Sequence, residues 1–206
     1  MRIAVVGGTG DFGLALAHRL VQAGHDVVIG SRDPTRAAAK AAEAGAAGAS
    51  NEHAVRGADV VVLAVKAEAA LATAESLADT LGNDVPVLSV ASELRFTKQG
   101  CLPGEDVRSI AERTQALVRA PVVAGLHSLA ASSLAHGRAE GDALVCGDHP
   151  DAKAIVLELA GVVVTGRALD AGPLASSRAL EGMTAVIVNL NKRYRGHAGV
   201  QITGLP

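Results

Sequence analysis

Aromatic side chains are nearly absent from this sequence: two phenylalanines, one tyrosine and no tryptophan in 206 residues. Platforms that stack the bases of single-stranded nucleic acid need more than that. An excess of one charge is missing too. Against 21 Asp and Glu stand 19 Lys and Arg, a formal net charge of −2, which leaves no polycationic footprint for nucleic acid. Cysteine occurs only as Cys101 and Cys146, far apart and outside any CxxC pair. Both read as buried thiols in a reducing compartment. The histidines have no metal-ligand spacing with one another or with the cysteines, so no metal site is expected. No apolar run approaches the ~20 residues that cross a bilayer. The opening "MRIAVVGGTG" turns to glycine before its apolar run is long enough for a signal peptide. The expectation is a cytoplasmic protein with neither a membrane nor a nucleic-acid partner.

Aliphatic residues are abundant. Hydrophobic residues make up 49% of the chain, nearly all Ala, Val, Leu and Ile, enough for the core of one substantial α/β domain. Short β-branched runs alternate with helical patterns of ten or more residues. "RIAVV", "DVVIG", "ADVVVLAV" and "VPVLSVA" read as strands, the third a continuous apolar run typical of a strand buried on both faces. "LALAHRLVQAG", "PTRAAAKAAEAG" and "EAALATAESLAD" read as the intervening helices, with Pro34 early and Gly45 last in the second. This alternation predicts a Rossmann-like, doubly wound, mainly parallel sheet with right-handed crossovers. Past residue 91 the pattern loosens. "SELRFTKQGCLPGED" reads as loop, "VRSIAERTQALV" and "PDAKAIVLELAG" as helices, and "PVVAGL", "DALVCG" and "VVVTG" (Val162 to Gly166) as strands. The segment from Gly172 onward reads as one long helix. A division follows: residues 1–172 as a nucleotide-binding domain with its extension, and 173–206 as a small C-terminal helical portion.

Gly8-Thr9-Gly10-Asp11-Phe12-Gly13 spells GxGxxG between the first strand and the first helix. That context makes the pattern a dinucleotide-binding fingerprint. Gly8 is assigned to the tight turn, Gly10 to close approach of a pyrophosphate, and Gly13 to helix–strand packing. The helix N-terminus supplies N–H donors and a favourable dipole for phosphate. About twenty residues on, an NAD-binding protein usually offers an acid to the ribose 2′-hydroxyl. This chain has Ser31 and Arg32 there, with Arg36 one turn later. A hydroxyl and guanidinium groups welcome a 2′-phosphate that an acid would repel. Thr9 adds a second hydroxyl. At roughly 1.5–3 kcal/mol for each charged hydrogen bond, two or three favour NADP over NAD by on the order of a hundredfold or more. Asp33 is the one discordant charge, and as N-cap of the following helix it is occupied locally.

Taken with "VCGDHPDAK", "LDAGPLASSRALEGMTAVIVNLNKRY" and "HAGVQIT", the opening "MRIAVVGGTGDFGLALAHRLVQAGHDVVIGSR" resembles the NADP-dependent reductases of the deazaflavin coenzyme F420. The segment "HAGVQIT" resembles the family's bacterial branch. The resemblance spans nearly the whole chain. It implies hydride exchange between NADPH and F420 in a homo-oligomer. It places the phosphate loop on Thr9, Gly10, Asp11 and Phe12, and the 2′-phosphate group on Ser31, Arg32 and Arg36. The nicotinamide half falls near Val65, Ala67, Leu71 and Ala131. The deazaflavin falls between "GLHSLA" and the C-terminal helix, with His127, Leu129 and Thr184 as the candidate catalytic residues. Both reacting carbons belong to the cofactors, so positioning and exclusion of water are what the protein supplies. Three features depart from the family: Lys66 in place of a usual proline, "SVASELRFTKQG" without its prolines, and Gly182 where some archaeal members carry serine. The basic run Lys192, Arg193 and Arg195 suits the acidic tail of F420, and the apolar "GMTAVIVNL" suits a homodimer contact. Two further readings stay open: an NADPH reductase of a small imine or carbonyl, and a non-catalytic NADPH-binding sensor.

Overall fold

The computed structural model describes residues 1–205. Strands β1 (Arg2–Val6), β2 (Asp26–Ser31), β3 (Ala47–Ser50), β4 (Val60–Leu63) and β5 (Val87–Ser89) are joined through helices α1 (Asp11–Gln22), α2 (Pro34–Ala44), α3 (Asn51–Val55) and α4 (Ala67–Leu77). A hairpin, β6 (Leu94–Thr97) and β7 (Gly100–Pro103), leads to α5 (Ile110–Gln115), β8 (Val122–Gly125) and α6 (Ala131–His136). Then follow β9 (Ala143–Gly147), α7 (Pro150–Val163), β10 (Ala168–Asp170), a single 3₁₀ turn and α8 (Ser177–Tyr194). Eight strands form one sheet in the order β10-β9-β8-β5-β4-β1-β2-β3. Every pairing in it is parallel except β8 with β9.

Strand periodicity divides the core into two layers. Ile3 and Val5 of β1 pack with Leu16 and Leu20 of α1 and Val156 and Leu159 of α7. Ala4 and Val6 of the same strand pack with Ala70 and Leu77 of α4 and Ile110 of α5. The start of α8 joins this second layer through Leu180. The caps follow sequence chemistry. Asp33 Oδ1 accepts from the backbone N–H groups of Thr35 and Arg36 at 2.9 and 3.2 Å, and Gly45 closes α2 at φ 70°.

Several expectations need correction. The stretch expected as loop after residue 91 contains the β6–β7 hairpin. Its Lys98-Gln99 turn, followed by Gly100 at φ 133°, lacks the Asn-Gly or Asp-Gly pair that marks a two-residue hairpin. Thr97 holds it with its side chain, donating to the Gly100 carbonyl and accepting from the Gln99 N–H. Asn189 of α8 then clamps β7, bonding both the N–H and the carbonyl of Cys101 at 2.8 Å. The strand expected at Val162 to Gly166 is wrong. Helix α7 continues to Val163, and the strand is β10, further along. Val156, Leu159, Ala160 and Val163 share the buried face of α7, so burial outweighs the β preference of the valine run. Elements β3, α3 and α6 come from four- to six-residue stretches, too short for periodicity to stand out. Pro206, the last residue of the expected C-terminal portion, lies outside the described residues.

Candidate active site

The parallel strands bring their C-terminal ends to one edge of the sheet, and β1 is where the strand order reverses. Ligands of open α/β sheets bind in the crevice at such a point. Here the crevice runs from Gly7 after β1, past Ala64–Val65 after β4, to His127 after β8.

The glycine loop is shaped by contact. Gly7 takes the left-handed turn (φ 75°), so the tight turn expected at Gly8 lies one residue earlier. Gly8 is excluded from having a side chain for another reason: a Cβ there would lie 2.8 Å from the Val5 carbonyl oxygen. A Cβ on Gly13 would lie 2.7 Å from the Gly8 Cα, so α1 packs closely on the glycine loop. Gly10 differs from both. Its Cβ would meet only the Gly7 oxygen, at 3.7 Å, and the residue is exposed. Gly10 caps α1 without a side chain, and the first-turn N–H groups face an open approach.

A cavity of about 580 Å³ holds Thr9, Gly10, Ser31, Arg32 and Arg36 together. Arg32 and Arg36 are exposed and have no ion pair among the described residues. Asn51 also lines this cavity. Its Oδ1 is buried and unpartnered. Sequence reading missed it because β3 and α3 were not legible; its signal is a polar residue directly after a strand of the parallel sheet.

A second cavity, about 540 Å³, continues from the first through Ala64, Val65, Lys66 and Glu68. It brings together Phe12, Val65, Ala67, His127, Leu129 and Thr184. Leu94 and Phe96 of the hairpin form another wall. The only two phenylalanines of the chain therefore face one cavity, and Phe96 is 76% exposed. Three expected residues lie elsewhere. Asp11 and Ala131 line a separate cavity between α1 and α6, with His18 and Glu43. Leu71 is half-buried on α4 and lines neither part of the cleft.

His127 is buried. Its Nδ1 lies 3.1 Å from Ser92 Oγ, which lies 2.7 Å from Thr184 Oγ1. Thr184 donates to the His127 carbonyl at 2.9 Å, reaching across from α8 instead of bonding back to its own turn. His127 Nε2 has no partner. Burial pushes the imidazole pKa down to about 4, so the ring is neutral at pH 7. Leu126, just before it, sits in the left-handed region at φ 65°, a conformation costly for a bulky residue and concentrated at functional sites.

Residues 2–93 match the family model described as NADP oxidoreductase, coenzyme F420-dependent. The F420-dependent NADP reductase of Methanothermobacter thermautotrophicus is 36% identical over 100% of this chain and 96% of its own. The chain belongs to the F420-dependent NADP reductase family. The enzyme of that name from Methanocaldococcus jannaschii is 34% identical over 100% of this chain and 99% of its own. Among solved structures, one from Arthrobacter sp. FB24, provisionally described as an F420-dependent NADP-reductase, superposes with a TM-score of 0.87. It is 26% identical and covers 99% of this chain and 100% of its own.

The three features expected to depart from the family pattern lie as follows. Lys66 is the exposed N-cap of α4 at the junction of the two cavities. Ser92, from the segment without prolines, carries the contact to His127. Gly182 lies against Pro103 of the hairpin. Both cysteines are buried and free. Burial pushes the Cys146 thiol up to about 12, and neither cysteine lines the cleft. No group of three or more metal-ligating side chains occurs among the described residues. No helix among them is long and apolar enough to cross a membrane.

Proposed function

We propose that this chain transfers a hydride between NADP(H) and the deazaflavin coenzyme F420. The observation that carries the reading is the continuity of the cleft: unpaired guanidinium groups at one end, an aromatic-walled cavity at the other, joined at Ala64–Lys66. The residues suit both groups. Gly10 leaves open the space a pyrophosphate needs. Asn51 Oδ1 and His127 Nε2 are buried polar atoms without a partner, and each such group costs about 1–3 kcal/mol until one arrives. When both cofactors are bound, the hydride passes between nicotinamide C4 and deazaflavin C5.

Each residue then has a physical task. Ser31, Arg32 and Arg36, with Thr9, hold the 2′-phosphate by charge-assisted hydrogen bonds. The first turn of α1, at Asp11 and Phe12, takes the pyrophosphate by N–H donation. Val65 and Ala67 bound the nicotinamide side. Phe12, Phe96 and Leu129 press flat rings together and exclude water. His127 and Thr184 orient the deazaflavin. The basic run Lys192, Arg193 and Arg195, exposed at the C-terminal end of α8, meets its anionic tail. Residues 173–205 form the portion that closes the deazaflavin side. The protein works as a cytoplasmic homodimer, with the exposed Val186, Leu190 and Tyr194 of α8 as the contact between copies.

The test mixes purified protein with NADPH and oxidised F420 and follows loss of the deazaflavin's visible absorbance, with NADH in parallel. Bleaching with NADPH and not NADH is the expected result. Intact NADPH binding without bleaching would overturn the reading in favour of an imine or carbonyl reductase, or a sensor. Replacing Arg32 by Ala should weaken NADPH binding tenfold or more and leave NADH little changed.

A further inference from the structure

Protons can be counted around the triangle of His127, Ser92 and Thr184. The His127 carbonyl oxygen can only accept, so Thr184 spends its one hydroxyl proton there, across 2.9 Å. The 2.7 Å contact between Thr184 Oγ1 and Ser92 Oγ must then be donated by Ser92. Ser92 has no second proton for His127. The 3.1 Å contact to Nδ1 therefore requires Nδ1 to carry the hydrogen and Ser92 Oγ to accept it. A neutral imidazole has one N–H. Nε2 is left with a bare lone pair, buried and unpartnered, on a residue that lines the aromatic-walled cavity.

We propose that Ser92 is a positioning residue that locks His127 in the Nδ1–H tautomer, so that the site selects a ring bearing an N–H donor, a carboxamide or imide, to pair with Nε2. The assignment of the cavity to a flat cofactor ring rests on the hydride-transfer reading; the tautomer does not. The lock reverses the simplest role for a histidine beside a hydride acceptor. A bare Nε2 cannot donate to a carbonyl oxygen that gains charge; it can only orient a partner by accepting from it. Ser92 lies in the segment where this chain lacks the family's prolines. The hydroxyl lies outside the glycine loop and the Ser31–Arg36 segment that form the phosphate-binding half. Helix α8 is needed as well, because Thr184 on it sets the direction of the whole relay.

Long-range ¹H–¹⁵N correlation spectra of the imidazoles decide the tautomer in the ligand-free protein at pH 7, with His127 assigned by its loss in His127→Gln. The expected pattern has a protonated Nδ1 and a bare Nε2. A protonated Nε2 overturns the lock. In Ser92→Ala the ring should shift towards the Nε2–H form that free histidine prefers, and Ser92→Thr should restore Nδ1–H. An unchanged tautomer in Ser92→Ala removes Ser92 from the role, whereas a purely structural serine would leave the tautomer alone. Titration with NADP⁺ and, separately, with oxidised F420 then identifies the donor. The Nε2 resonance should move upfield with one of them, and movement with neither overturns the pairing. Ser92→Ala should also weaken binding of whichever cofactor moves Nε2 about tenfold and leave the other within twofold. A locked tautomer in a protein that does not bleach F420 would sink the hydride-transfer reading and spare the lock. Bleaching with a protonated Nε2 would do the reverse.

Discussion

The three glycines of the phosphate loop should respond to the same substitution in different ways. In Gly8→Ala the new methyl would lie 2.8 Å from the Val5 carbonyl oxygen and 3.1 Å from Ile29 Cγ2. In Gly13→Ala it would lie 2.7 Å from the Gly8 Cα. Those atoms are backbone or core and cannot swing away, so each change costs about 1–3 kcal/mol of stability through overpacking. For a chain of this length that is a fall in Tm of roughly 2–4 °C per kcal/mol. Gly10→Ala meets only one atom, at 3.7 Å, and the backbone at φ −83°, ψ 163° suits alanine. A poorer N-cap costs about 1 kcal/mol, and the stiffer unfolded chain returns about 0.4–1 kcal/mol. Stability should therefore stay within about 1 kcal/mol of the parent. The methyl would instead stand where the pyrophosphate approaches α1. NADPH affinity should fall at least tenfold, about 1.4 kcal/mol. Urea unfolding and titration of NADPH by its fluorescence separate the two effects. Parent-like NADPH binding by Gly10→Ala would refute the placement of the pyrophosphate and with it the cleft as the nucleotide site.

Two buried ionisable groups should give the protein opposing pH slopes. His127 has its pKa pushed by burial from 6.5 to about 4. Between those values the unfolded chain holds the proton and the folded one does not, so its contribution to stability is lost as pH falls from about 6.5 to 4, up to about 3 kcal/mol. Burial pushes the Glu181 carboxyl the other way, from 4.5 to about 7, against the weaker opposing pull of the Ala111 and Ile110 N–H groups and the Arg178 and Arg113 charges. Its contribution is lost as pH rises from about 4.5 to 7, by a similar amount. Between pH 4.5 and 6.5 the slopes offset in the parent protein. Glu181→Gln should expose the rising slope and His127→Asn the falling one by urea unfolding, and parallel curves for parent and both variants would contradict the burial argument. Phe96→Ala should change stability by less than about 0.5 kcal/mol, because the ring is 76% exposed, yet raise the KM for F420 about fivefold to tenfold, as loss of an aromatic wall predicts. An unchanged KM would remove the hairpin from the site.

Most of the parallel half of the fold, β3 and α3 excepted, was legible because its signals are local. "RIAVV" and "DVVIG" are β-branched runs bounded by glycine or charge. Asp33-Pro34 and Gly45 mark the ends of α2 by side-chain capping and a left-handed backbone, which neighbouring residues alone decide. The GxGxxG spacing and the Ser31-Arg32 pair likewise state a binding preference without reference to distant residues. The hairpin was not legible, since Lys98-Gln99 is no turn signal and Asn189, 88 positions away, clamps the strand. The extension of α7 through a valine run was settled by burial against the sheet, which overrides intrinsic preference.

What the sequence by itself determined is the nucleotide half: a strand–glycine loop–helix unit and a guanidinium-rich end of β2, each built within a few residues. Tertiary structure alone decided the other half. Ser92, His127 and Thr184 come from three separate segments, and only the packing of α8 over the sheet edge brings them within hydrogen-bond reach. Phe12 and Phe96 face one cavity because the hairpin folds back over it. Asn51 becomes a wall of the nucleotide cavity only once β3 pairs beside β2. The physical reason is range: capping, turns and charge at a loop act over a few residues, whereas cavities and buried hydrogen-bond relays arise where chain segments far apart exclude water together.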